Sequence, residues 1–158
     1  MRRKIEIRTV SVRSAKSGTL EEPMGQTLHL GAPTVIESAA ERTPYAALFE
    51  DDGKVAYFYG LDTRLGDQVL DAVHVYNVGV VLDHPTPELD VHLPCDVQIL
   101  WSENQERVAL LLNGKPHAAF DFIAKRGYCR SNFPAASSWS KGGHTWDEAA
   151  VEFVRDGP

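Results

Sequence analysis

An α+β domain dominated by antiparallel strands is the fold class this sequence predicts: a meander of hairpins forming a curved sheet or small sandwich, with a C-terminal helix packed on it. Three observations predict it. Asp52-Gly53 separates two apolar runs and Asn113-Gly114 separates two more, and both dipeptides suit the tight turns that join antiparallel neighbours. Near the C-terminus, Thr145 and Glu148 have the spacing of a capping box ahead of an apolar stripe. A chain of 158 residues fits one domain and is long enough to need no metal or disulfide staple.

Residues 1–26 read as an N-terminal extension. Ile5, Ile7, Val10 and Val12 suggest a short edge strand there, and Ser14 to Gly25 is polar and rich in turn formers. A single globular domain then runs over 27–158. In the first hairpin, Tyr45 to Tyr59, closure at Asp52-Gly53 puts Leu48 opposite Tyr57, Phe49 opposite Ala56 and Asp51 opposite Lys54. Tyr45, Ala47, Phe49, Ala56 and Phe58 then share one face. Ala46, Leu48, Val55, Tyr57 and Tyr59 share the other. Both faces look apolar, so both are expected to be covered.

Residues 68–81 carry several valines, which favour a strand, although Val69, Val73, Tyr76 and Val80 also fit a helical spacing. We expect a strand. Val97, Ile99 and Trp101 alternate with polar residues as a half-buried strand. It leads into the second hairpin, Arg107 to Phe122, where closure at Asn113-Gly114 pairs Leu110 with His117 and Ala109 with Ala118. Pro116 lacks an amide hydrogen and must sit where none is required. Gly127 to Ser131 adds a further strand. Trp146, Ala149, Ala150 and Phe153 predict a helix over 146–155 that stops at Gly157.

The composition narrows the function classes. A net charge of −6 argues against nucleic acid, whose phosphates favour a basic face, and suits a basic protein partner. No apolar run approaches the roughly 20 residues that cross a bilayer, so no membrane partner is expected. The basic start, Met1 to Arg8, is followed by no continuous apolar stretch of the kind a secretory signal needs. Together with only two cysteines, Cys95 and Cys129, that points to reduced thiols and a cytoplasmic location.

Few residues suggest chemistry. Arg126, Tyr128 and Arg130 project from one side of a strand, where two guanidinium groups around a phenol could hold a carboxylate or phosphate. Cys129 between them would be an activated thiol if it shared that side, but strand alternation sends it to the core. His74, Tyr76 and Asn77 interrupt an apolar run and need polar partners or a pocket. His117 and Asp121 share a strand face but stand about 13 Å apart, too far for a dyad. His84 and His92, with Asp83, Glu88 and Asp90, match no metal-ligand spacing. No metal and no cofactor are therefore assigned. Phosphate loops, nucleophile elbows and Cys-x-x-Cys pairs are missing from the sequence.

Several blocks carry a resemblance. Phe49-Glu-Asp-Asp-Gly, Gly60-Leu-Asp, Leu70-Asp-Ala-Val-His-Val-Tyr-Asn-Val78 and Leu112-Asn-Gly are four of them. Pro116-His-Ala-Ala-Phe-Asp-Phe122, Arg126-Gly-Tyr-Cys-Arg-Ser-Asn-Phe-Pro134, Trp139 and His144-Thr-Trp-Asp-Glu148 complete the set. The chain resembles the bacterial family catalogued as domain of unknown function 2251, over roughly residues 33–153. That resemblance implies no activity and assigns no residue a role. Three functional expectations follow from the residues. The first is a protein-interaction module, such as an antitoxin or immunity-type binder of a basic effector. The second is a small-ligand or anion-binding domain using Arg126, Tyr128 and Arg130, with His74 and Tyr76 at the same site. The third is an enzyme using Cys129 or a histidine cluster.

Overall fold

The computed structural model describes residues 26–66, 68–83, 89 and 93–155. These form two antiparallel sheets. The four-stranded sheet runs β2 (Thr34–Ala39), β3 (Tyr45–Asp51), β4 (Val55–Asp62) and β5 (Gln68–Asn77) in spatial order. In the five-stranded sheet, β1 (Gln26–Leu28) is followed by β6 (Cys95–Trp101), β7 (Arg107–Leu112), β8 (Lys115–Asp121) and β9 (Arg126–Cys129). Two short helices, α1 (Val78–Asp83) and α2 (Glu152–Arg155), complete the described elements, with single 3-10 turns at Thr63–Leu65 and Glu148–Val151. The fold is α+β and mainly antiparallel β, as the hairpin signals predict. The suggested strand over Ile5 to Val12, the residues His84, Glu88, Asp90 and His92, and the Gly157 stop lie outside the described residues.

The inner faces of the two sheets share one core. Phe58 of β4 stacks on Phe120 of β8 at 5.3 Å, and Tyr45 of β3 lies nearly parallel to Phe122 at 4.3 Å. At the edge, Trp101 Nε1 donates to Ser38 Oγ at 2.9 Å and ties β6 to β2. Elsewhere the layers meet backbone to side chain. A Cβ on Gly127 would stand 2.9 Å from both Phe120 and Val73 and 3.1 Å from Asp71 Oδ2. Only glycine lets β9 lie this close to β5.

Both hairpins form, and each departs from its predicted register for a local reason. In the first, Asp51 pairs with Ala56, Phe49 with Phe58 and Leu48 with Tyr59. The turn is therefore Gly53-Lys54, one residue later than Asp52-Gly53. Asp52 opens it, its carboxylate accepting the N–H groups of Lys54 at 2.8 Å and Val55 at 2.9 Å. Those bonds hold the Asp52 carboxyl below its usual range. Gly53, at φ 95°, takes the position that a side chain would strain. Asp51 does not face Lys54. It is buried and accepts from Gly31 N, Gly53 N and Tyr76 Oη at 2.6 to 2.8 Å.

In the second hairpin, Asn113 (φ 51°) and Gly114 (φ 78°) make the predicted turn, with Leu112 opposite Lys115 and Leu111 opposite Pro116. A bulge then inserts His117, so Leu110 pairs with Ala118 and Ala109 with Ala119. The expected Leu110–His117 pairing is lost. Without the bulge, Asp121 would point inward; with it, Ala118 and Phe120 join Val108 and Leu110 in the core.

Two further expectations change. Residues 68–77 form a strand, but Val78–Asp83 turns into α1. The C-terminal helix begins later than the capping box implied. Cys129 N donates to His144 O at 3.1 Å, and Thr145 forms a parallel bridge with Cys129, which removes it from any cap. Asp147 caps instead, accepting from Ala149 N at 3.0 Å. Glu148 accepts from Trp146 Nε1. The buried residue of this segment is Val151, with Trp146, Phe153 and Val154 beside it, whereas Ala149 is exposed.

Candidate functional site

Strand alternation fixes what the outer face of the four-stranded sheet presents. Val35, Glu50, Tyr57 and His74 form one row across β2 to β5, and Glu37, Leu48, Tyr59 and Ala72 form the next. Every one of these residues is only half-buried, although Phe49 and Phe58 on the opposite face are sealed in the core. The expectation that both faces of the first hairpin are covered therefore fails. Counting tyrosine as apolar caused the error, since each phenol carries a hydroxyl that is satisfied at a wet surface. Tyr59 Oη donates to Glu50 Oε1 at 3.1 Å. Burial, with Glu50 beside it, raises the Tyr59 pKa.

One end of this face is organised around His74. Tyr57 meets its ring edge-on at 5.7 Å, and Phe133, which is 54% exposed, does so from the other side at 6.0 Å. His74 Nε2 lies 2.8 Å from Asn77 Oδ1, and Nδ1 lies 2.9 Å from Ser131 Oγ. His74 N donates to Phe133 O at 2.9 Å, fastening the segment after β9 to β5. The polar partners required for His74 and Asn77 thus include each other. Ser131 was not singled out by sequence reasoning, because its contact with His74 spans a separation of 57 residues.

The residues proposed as one site occupy three places. Arg126, Tyr128 and Arg130 do align on one side of β9, on the outer face of the five-stranded sheet. The two guanidinium groups do not flank the phenol together. Arg126 Cζ sits 5.2 Å over Tyr128, and Arg130 Cζ sits 4.3 Å over Trp146. Arg130 Nε donates to Pro116 O at 2.8 Å, and Nη2 stands 3.7 Å from Glu148. Asp121, on the neighbouring strand β8, pairs with Arg107 at 3.2 Å. His74 is on the far sheet's outer face and Tyr76 is in the core, so neither joins the arginines. A groove of about 830 Å³ beside Arg107 and Phe153 is lined by charges engaged with its own wall, Arg42 donating to Glu103 O and Arg107 pairing with Asp121.

Both thiols are free and buried. Cys129 faces the core, as alternation predicts, and its Sγ donates to Phe133 O at 3.2 Å. Burial pushes the Cys95 thiol up to about 11. Neither cysteine is expected to react with a thiol-exchange reagent at pH 8 in the folded chain, and both should react once urea unfolds it. Stoichiometric reaction of Cys129 in the native protein would contradict this placement. Among the described residues, no three His, Cys, Asp or Glu side chains gather in a metal-sized group.

The segment after β9 also supplies an ionisable pair that sequence reasoning missed. His144 Nε2 lies 2.7 Å from Asp71 Oδ2, with the two side chains 0% and 3% exposed. His144 Nδ1 lies 2.5 Å from Pro134 O. A carbonyl can only accept, so Nδ1 carries hydrogen, and one further proton lies between Nε2 and the carboxylate. Both ring nitrogens are occupied. The pair anchors the C-terminal segment to β5.

Residues 28–155 match the family described as "Uncharacterized protein conserved in bacteria (DUF2251)". The chain belongs to DUF2251. An uncharacterized protein of Haemophilus influenzae is 39% identical over 119 residues, covering 72% of this chain and 70% of that protein. No solved structure matches the chain. Within this DUF2251 protein the matched region takes in all of β2 to β9 and the segment that follows. No helix of the described residues is long and apolar enough to span a membrane.

Proposed function

We propose that this DUF2251 protein is a cytoplasmic protein-interaction module whose open four-stranded face takes a basic partner, in the manner of an inhibitor bound to a basic effector. The observation that carries the reading is the pair of rows joining Glu37 and Glu50 to Tyr57 and Tyr59. Tyrosine offers a large, stiff contact area, and its ring face attracts lysine or arginine. Neighbouring carboxylates complete the pairing and reject acidic competitors. A net charge of −6 supports steering toward such a partner.

The test uses a deca-lysine and a deca-arginine peptide as probes. Titrated into the 15N-labelled full chain, either peptide should shift amides of β3, β4 and β5 before others. Binding should weaken as salt rises. E37Q together with E50Q should lower affinity at least about tenfold, a loss of about 1.4 kcal/mol. Shifts scattered evenly over the acidic surface, or an unchanged affinity in the double variant, would refute the reading.

A second reading, anion binding on β9, is favoured by one detail. The Nε of Arg126 is buried and has no hydrogen-bond acceptor among the described residues. An anion reaching that guanidinium would find a donor in place.

A further inference from the structure

We propose that Ser131, His74 and Asn77 form a nucleophilic centre that accepts an acyl group from a carboxylic ester. The relation of the three side chains carries it. Asn77 Oδ1 faces His74 Nε2 at 2.8 Å, and a carbonyl oxygen can only accept. Nε2 therefore bears the hydrogen, and the lone pair of Nδ1 faces Ser131 Oγ at 2.9 Å. A hydroxyl whose proton points at a bare imidazole nitrogen, with that imidazole oriented by a third group, is the arrangement that activates serine nucleophiles. The carbonyl of His74 lies farther from Ser131 Oγ, at 3.2 Å, and competes less well for the proton.

The surroundings hold this geometry and leave it reachable. Tyr57 and Phe133 clamp the imidazole edge-on from two sides. Ser131 and Asn77 are both exposed. Ser131 sits in a tight reversal where Asn132 N donates to Cys129 O and Asn132 has φ 57°, with Phe133 N donating to its Oγ at 3.4 Å and Cys129 Sγ 3.5 Å away. The exposed ring of Phe133 offers an apolar rest for the acyl chain. His144, by contrast, has both nitrogens committed in the core.

The step balances within these groups. Ser131 Oγ bonds to the ester carbonyl carbon while its proton passes to His74 Nδ1. The carbon–oxygen bond to the leaving group then breaks, and that oxygen takes the proton from Nδ1. Water reverses the sequence, releasing the acid and restoring the serine. His74 acts as general base and then general acid, which accounts for about 10²- to 10⁴-fold of acceleration. Asn77 is a positioning residue, acting by fixing the tautomer.

The probe is an alkyl fluorophosphonate, which serine attacks with loss of fluoride and of the hydroxyl proton. The full chain should gain one phosphonyl group, mapped to Ser131 by peptide mass spectrometry, and should hydrolyse p-nitrophenyl acetate. S131A should abolish both, and H74Q should slow labelling about 100-fold with an unchanged melting profile. N77L should slow labelling and N77D, which keeps an acceptor, should restore it. Long-range 15N spectra should find His74 protonated on Nε2. An unlabelled folded chain, label on another residue, labelling untouched by H74Q, or His74 protonated on Nδ1 would each overturn the proposal. E37Q with E50Q alters none of these atoms, so this result is separable from the binding test.

Discussion

Replacing Asp71 with alanine is expected to destabilise the chain by about 3–5 kcal/mol, the usual cost of removing one member of a buried, mutually bonded pair. The reason lies in where the partner sits. His144 is 0% exposed in its side chain, and its Nδ1 is already committed to Pro134 O. Without the carboxylate, the buried Nε2 loses the group that faces it at 2.7 Å. His144→Ala should be comparably severe, since Asp71 then keeps a buried carboxylate without its partner. The double variant should cost much less than the sum of the singles, because each removes the same interaction. Asp71→Asn should be milder, roughly 1 kcal/mol. Its amide can donate to a bare Nε2 while Nδ1 keeps its bond to Pro134. Urea titration of the four variants checks this, and additivity of the two alanine substitutions would refute the assignment.

Phe120→Ala should be of similar size, about 3–5 kcal/mol, from lost burial and the cavity left behind. Phe120 is 1% exposed and touches residues of both layers. Its ring stacks on Phe58 at 5.3 Å and stands 6.1 Å from Phe122 and 6.2 Å from Trp139. Gly60 and Gly127 both lie against the same ring, and neither can swing a side chain into the void. The site therefore collapses poorly, which places the expected loss at the upper end. Phe133→Ala is the contrast, since that ring is 54% exposed and its loss should change stability little. Equal midpoints for Phe120→Ala and the parent would mean the layers do not meet here.

What could be read from residues alone follows from the range of the forces involved. The turns were legible because Asn113-Gly114 and Gly53 act through their own backbone angles. Alternation correctly sent Cys129 inward and aligned Arg126 with Tyr128 and Arg130. Registers were less legible. Asp52 opened its turn through two side-chain bonds, moving the reversal by one residue, and His117 bulged out beside a proline that has no hydrogen to donate. The cap at Thr145 failed because a bridge to Cys129, well back in the chain, claimed that residue. Contacts across the layers were not legible at all. Asp71 and His144 are separated by 73 residues, and nothing local in either neighbourhood names the other. The grouping of His74 and Tyr76 with the arginines failed for a similar reason: a register shift against Ala56 and Tyr57 sends these two residues of β5 to opposite faces, and β9 belongs to a different sheet.

Which side chains are sealed and which stay open depends on one relation, two sheets stacked with Phe58 and Phe120 between them. A NOESY spectrum of the labelled chain tests it directly. Ring protons of Phe58 should show strong cross-peaks to those of Phe120, while the ring protons of Tyr57 show none. Cross-peaks from Tyr57 to Phe120, or silence between Phe58 and Phe120, would mean that β4 presents its other face to the core.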